Sequence, residues 1–273
     1  MRQLLSLLAA AMLGAPAALA CGAESDCLVM GPSGERTYRL YLPAGYDGVT
    51  PLGAIVHAHG YRGSAKGAMG NANLRALADD LGVALIAGKS AGPDWVIPGV
   101  PSPSRIEGAD ELAYFDAVIA DAAARVPLDR DRLMATGFSA GGMMVWNLIC
   151  HRSELFAGFA PIAGTFWKPE PRTCSTPPAT VIHIHGTTDR IVPLSGRPIG
   201  DTAQGDVLAV LAMYRAHGGF RGEGRRAVGD LECLVEKNAA GAFLEFCLFE
   251  GGHSFRTAFI RQAWERLEAL GKL

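Results

Sequence analysis

Gly137-Phe138-Ser139-Ala140-Gly141 lies where a strand-like run, Arg132 to Thr136, meets a helix-like run, Met143 to Cys150. A chain that turns sharply from strand to helix at such a point lifts a serine hydroxyl clear of the sheet. The flanking glycines let neighbouring backbone pass close by, and the new helix aims its free N–H groups at the reacting centre. This context predicts Ser139 as a nucleophile. The same pattern recurs at Gly88-Lys89-Ser90-Ala91-Gly92, but Pro93, Pro98, Pro101 and Pro103 follow it. No helix can start there, so Ser90 is set aside. Gly82 and Gly88 do not frame a phosphate loop either, because the strand itself fills the space between them.

A serine nucleophile needs a base, and the base needs an acid to orient it. In sheet hydrolases these follow in the order serine, acid, histidine. Asp189 lies in the loop after the strand-like run Thr180 to His185, and His253 follows Gly251-Gly252 after the run Ala242 to Phe249. Asp94, Glu170 and Asp201 are rival acids. The oxyanion donors are expected from the backbone of Ala140 and of Tyr61, with Gly60 as a substitute. His57/His59 and His183/His185 form two H-x-H pairs on strands. No third ligand with a fitting motif accompanies them, so no metal site is assigned. His151 and His217 fall near helix ends, where a surface role is expected.

Strand and helix signals alternate from about Arg36 onward. Strands are expected at Thr37–Leu42, Ala54–Ala58, Val83–Ala87, Leu133–Thr136, Phe156–Ile162, Thr180–His185, Leu231–Glu236 and Ala242–Phe249. Helices are expected at Ala72–Leu81, Glu111–Arg125, Ser139–His151, Val207–His217 and Phe255–Leu270. The alternation predicts an α/β chain with a mostly parallel, doubly wound sheet, helices on both faces, and active groups at the carboxyl ends of the strands. No repeat, low-complexity tract or linker interrupts it.

Residues 1–20 read as a signal peptide, with Arg2, an apolar run from Leu4 to Leu13, and Ala18-Leu19-Ala20 as a cleavage site. Residues 21–273 are then expected to form one catalytic domain of an exported protein. With 49% apolar residues it can bury a full core. Six cysteines in an exported chain point to disulfides, and proximity suggests Cys21–Cys27, Cys150–Cys174 and Cys233–Cys247. Lipidation at Cys21 is a competing reading that would strand one thiol. The net charge of −2 and the absence of basic runs exclude a nucleic-acid or anionic-lipid partner on charge grounds, and no later stretch reaches membrane-spanning length.

Gly137 to Gly142, His185 to Asp189 with Ile191-Val192-Pro193, Phe156 to Gly164, and Gly251 to His253 together resemble the polyhydroxybutyrate depolymerase/feruloyl esterase group of α/β-hydrolases. The likeness runs from about Tyr38 to Trp264. It implies an α/β-hydrolase fold of three layers with no large lid domain. It implies Ser139, Asp189 and His253 as the triad, and cofactor-free hydrolysis of carboxylic esters through an acyl-enzyme. Polymer-degrading members carry a cysteine after the oxyanion His-Gly and an aromatic beside the catalytic histidine, where this chain has Tyr61 and Ser254. The appended substrate-binding domain usual in secreted polymer degraders is not seen. Small soluble esters, hydroxyalkanoate oligomers and feruloyl esters are therefore expected at least as much as solid polyester.

Trp95, Phe166 and Trp167, with Tyr61, fall in loops at strand ends and are expected to line an apolar cleft, whereas Trp146 and Trp264 read as core. No residue reads as a dedicated carboxylate clamp. Alternative functions on the same scaffold are a peptidase, a lactonase, or a binding protein without catalysis.

Overall fold

The computed structural model describes residues 21–101 and 108–273. The expected leader, residues 1–20, lies outside the described residues. The chain opens with an antiparallel hairpin, β1 (Cys27–Gly31) and β2 (Gly34–Tyr41). The next strands are short, apolar and buried along their length, as strands covered on both faces must be. They are β3 (Leu52–Ala58), β4 (Ala84–Gly88), β5 (Leu128–Phe138), β6 (Gly158–Ile162) and β7 (Val181–Gly186). A small separate hairpin, β8 (Arg197–Ile199) with β9 (Thr202–Gln204), follows. The last strands are β10 (Arg221–Val228), β11 (Leu231–Lys237) and β12 (Phe243–Phe249).

The main sheet runs in the order β1-β2-β4-β3-β5-β6-β7-β12-β11-β10. From β4 to β12 all neighbours are parallel, and an antiparallel pair closes each edge. The helices are α1 (Ala65–Gly70), α2 (Ala72–Leu81), α3 (Glu111–Arg125), α4 (Ala140–His151), α5 (Val207–Gly218) and α6 (Thr257–Ala269). One apolar cluster joins α3, α4 and α5 to the sheet through Phe115, Trp146 and Tyr214. A second joins α1, α2 and α6 through Met69, Leu77 and Trp264. The result is the expected three-layer, doubly wound α/β architecture, without a lid domain among the described residues.

Two helices begin and end where side-chain chemistry dictates. Asn71 Oδ1 accepts from Asn73 N at the start of α2, and Gly82 ends that helix at φ 63°. Asp110 Oδ1 accepts from Leu112 N and Ala113 N at the start of α3. The structure adds elements that the sequence reading passes over, namely β1, α1, β8, β9 and β10. It also extends the strand expected at Leu133–Thr136 in both directions.

All three disulfides expected from proximity are formed. Cys233 and Cys247 face each other in register on β11 and β12. Cys150–Cys174 ties the end of α4 to the segment that leads into β7.

The β5–α4 turn leaves no room for side chains. A Cβ on Gly141 would overlap Ala58 O, and one on Gly142 would lie 2.6 Å from Ile162 O. We expect Gly141→Ala to destabilise the protein by about 3 kcal/mol or more, because only backbone stands in the way. Gly70→Ala meets nothing within 4 Å and should stay within about 1 kcal/mol of the parent. Urea unfolding midpoints measure both, and equal midpoints would contradict this account of the turn.

Candidate active site

Ser139 occupies the turn between β5 and α4 with φ 59° and ψ −120°, a left-handed conformation that a non-glycine residue adopts only when its surroundings impose it. Its N–H donates to Ile162 O on β6 at 2.9 Å, and its carbonyl accepts from Met143 N at 2.9 Å. Its side chain caps no helix. The serine is thus fixed by backbone on both sides, and its hydroxyl is left free at the mouth of a cleft of about 290 Å³.

His253 follows β12. Its Nδ1 lies 2.7 Å from Asp189 Oδ2, and its ring stacks on Phe138 with centroids 4.5 Å apart. Phe138 directly precedes Ser139, so the stack brings the imidazole beside the nucleophile turn. Asp189 is buried in the loop after β7. Its Oδ1 accepts from Ile191 N and Val192 N, both at 2.8 Å. Burial alone would raise this carboxyl. The hydrogen bonds from His253, Val192 and Ile191 outweigh burial and hold it below the usual carboxylate range. An ionised Asp189 makes Nδ1 of His253 the protonated nitrogen and leaves Nε2 as an acceptor.

The rival acids lie elsewhere. Glu170 Oε1 accepts from Asp206 N, Asp201 is exposed, and Asp94 accepts from Trp95 N.

The two H-x-H pairs are neutral and engaged within the fold. His59 Nε2 accepts from Ser90 N at 3.2 Å, so its Nδ1–H donates to Gly60 O at 2.8 Å. His183 Nδ1 accepts from Trp146 Nε1, and its Nε2–H donates to His185 Nδ1 at 3.0 Å. His185 Nε2–H in turn donates to Val192 O at 2.8 Å. This chain of donors links the nucleophile helix to the loop that carries Asp189. Burial lowers all four histidines, His57 and His59 to about 4. Ser90, the serine of the second glycine–serine motif, is buried and donates to Gly92 O.

The loop after β3 supplies the expected second oxyanion donor. Arg62 N and Gly63 N are engaged with Pro93 O and Gly60 O, whereas Tyr61 N and Ala140 N have no partner among the described residues. Trp95 Nε1 donates to His59 O at 2.8 Å and pins this loop from below.

The cleft departs from the sequence reading. Trp95 is fully buried, stacked between His59 and Phe115, and lines nothing. Phe166 packs against Trp146 in the core. Burying large apolar area outweighed loop position for both. Trp167 does line the cleft, with Met143 and Ile199, and Tyr61 and Ile191 stand exposed at its rim. The polar side chains that sequence reasoning missed as cleft residues are Asp94, Arg197 and Gln204. Gly196 and Gly200, either side of Arg197, are the turn signals that could have located β8.

Asp94 is held by a buried neighbour. Glu111 accepts from Ala91 N at 3.0 Å and from Val96 N at 3.2 Å, and pairs with Arg36 at 2.8 Å, so it fixes the loop at both ends. Burial and the Glu111 charge raise the Asp94 carboxyl to about 6.

No protein-family model matches the chain. Solved structures match over nearly its whole length. An acetyl xylan esterase from Aspergillus awamori superposes with TM-score 0.64 at 14% identity, over 89% of this chain and 99% of that one. A feruloyl esterase module from Clostridium thermocellum, complexed with sinapinate, superposes with TM-score 0.59 at 13% identity, over 91% and 86%. This chain has the α/β-hydrolase fold. Sequence relatives of this α/β-hydrolase carry esterase names. NocK of Nocardia uniformis subsp. tsuyamanensis is 31% identical over 178 residues, covering 64% of this chain and 50% of NocK. Feruloyl esterase C of Emericella nidulans is 26% identical over 164 residues, covering 59% and 57%. The chain spans about half the length of the curated relatives it matches.

The raised Asp94 carboxyl has a consequence for stability. A folded-state value above the ordinary 3.8 means that folding favours the protonated form. That stability is complete below about pH 4 and is lost as pH rises through about 6. Asp94→Asn removes the penalty. We expect it to stabilise the protein by about 1 kcal/mol at pH 8, after allowance for solvent screening, and hardly at all at pH 4. Thermal melts at the two pH values measure this, and an equal gain at both would contradict it.

Proposed function

We propose that this α/β-hydrolase is a serine carboxylic ester hydrolase in which Ser139, His253 and Asp189 act as the triad. The observation that carries the reading is the 2.7 Å bond from His253 Nδ1 to a buried Asp189, with the same imidazole stacked beside the strained Ser139 turn. Ser139 Oγ attacks the ester carbonyl while His253 Nε2 takes its proton. Asp189 fixes the tautomer and stabilises the imidazolium. Ala140 N and Tyr61 N hold the oxyanion, each donor worth on the order of 10²-fold in turnover. Collapse expels the alcohol with a proton from His253. Water then attacks the acyl-enzyme with His253 again as base, releasing the acid.

The esterase names of the sequence relatives favour esters over peptides as substrates. Hydroxyalkanoate oligomers, polyhydroxybutyrate-like polyester and feruloyl-type esters all suit a partly apolar cleft with Trp167 in its wall. No helix among the described residues is long and apolar enough to cross a membrane. Three disulfides, together with the leader-like residues 1–20, support export to an oxidising compartment.

A panel of p-nitrophenyl esters, methyl ferulate and hydroxybutyrate oligomers tests the reading. The parent protein should cleave at least one class, and Ser139→Ala should lose about 10⁴-fold or more in kcat while remaining folded. Asp189→Asn should lose on the order of 10³–10⁴-fold, through the wrong histidine tautomer. Near-parental turnover in folded Ser139→Ala would reject the assignment.

A further inference from the structure

Resting on the esterase reading, the inference concerns what else the substrate must carry. The cleft that opens on Ser139 holds two charged side chains, and they do not pair with each other. Asp94 lies on the β4–α3 loop, and its Oδ1 is engaged with Trp95 N. Arg197 lies on β8, and no ion pair to it is formed among the described residues.

The guanidinium of Arg197 is fixed in direction. Its Nε donates to Ile191 O at 2.8 Å and leans on Gln204 Oε1 at 3.4 Å. Gln204 is buried and stands opposite Arg197 in the β8–β9 register. The hairpin itself is sewn to the cleft wall. Trp167 bridges to Gln204, Lys168 N donates to Ala203 O, and Gly205 N donates to Phe166 O. Thr202 Oγ1 adds a bond to Gly99 O. Both Nη groups are left without a protein partner among the described residues.

A planar cation oriented in advance, with its outer donors free in a partly apolar cleft, matches a carboxylate better than any neutral group. It offers two parallel charge-assisted bonds at little further ordering cost. A neutral ester segment of the same length would leave those donors to water alone.

We propose that Arg197 is a specificity-determining residue that binds a free carboxylate on the substrate. The preferred substrates are then short hydroxy-acid esters with an unblocked acid end. Hydrolysis adds one water across the acyl C–O bond, releasing a hydroxy acid whose carboxylate leaves Arg197 with the product.

The test compares the dimer of 3-hydroxybutyrate as free acid and as methyl ester, with p-nitrophenyl butyrate as a general esterase substrate. Cleavage of the internal ester is followed by chromatography. The parent should favour the acid in kcat/KM by about tenfold or more, chiefly through KM. Arg197→Gln should erase most of that preference, and Arg197→Lys, which keeps the charge without the fork, should restore part of it. No preference for the acid in the parent, or a full preference in Arg197→Gln, would overturn the proposal. If p-nitrophenyl butyrate is cleaved and neither dimer is, the carboxylate proposal fails and the esterase reading stands. If nothing is cleaved by folded parent protein, both fail.

Discussion

Where β5 becomes α4, three backbones approach closely enough that no side chain fits between them. Gly137 and Gly141 abut each other, Gly141 lies against Ala58 O on β3, and Gly142 lies against Ile162 O and Gly164 beyond β6. This contact lets the helix begin directly over the sheet and puts Ser139 at φ 59°. The serine then faces the loop after β3, where Tyr61 N points free, and the ends of β7 and β12, which carry Asp189 and His253. Each member of the site depends on that approach. A helix displaced outward by one methyl group would carry Ser139 away from both the base and the oxyanion donors.

Around this turn, buried polar groups are arranged so that each hydrogen bond decides the next. Trp146 donates to His183, His183 to His185, and His185 to Val192 O, which fixes both tautomers. Val192 N and Ile191 N then hold Asp189, and Asp189 sets the tautomer of His253. Neutral buried histidines suit this positioning role. In a charged form they would need counter-ions, which an apolar interior does not supply.

Helices α2 and α3 were legible in the sequence because Asn71, Gly82 and Asp110 mark their ends. The parallel strands were legible as short continuous apolar runs. β10 was not, because Arg221 to Val228 is a mostly exposed edge whose place is set by pairing with β11 rather than by an apolar face. Ser139 stood out through its strand–turn–helix context, and Asp189 and His253 through their order and their loops. The cleft walls were illegible. Trp95 and Trp167 both read as loop aromatics, and only packing against Phe115 and His59 separates the buried one from the one that lines the cleft. Arg197 and Asp94 become neighbours of Ser139 through a hairpin and a loop that no local periodicity announces.

The central claim is that Ser139 alone, of the two serines set in glycine–serine–glycine motifs, is activated. Labelling the intact protein with an active-site-directed fluorophosphonate, followed by mass measurement and peptide mapping, tests it directly. The account predicts one adduct per chain, on Ser139. No adduct on folded protein, or an adduct on Ser90, would contradict it.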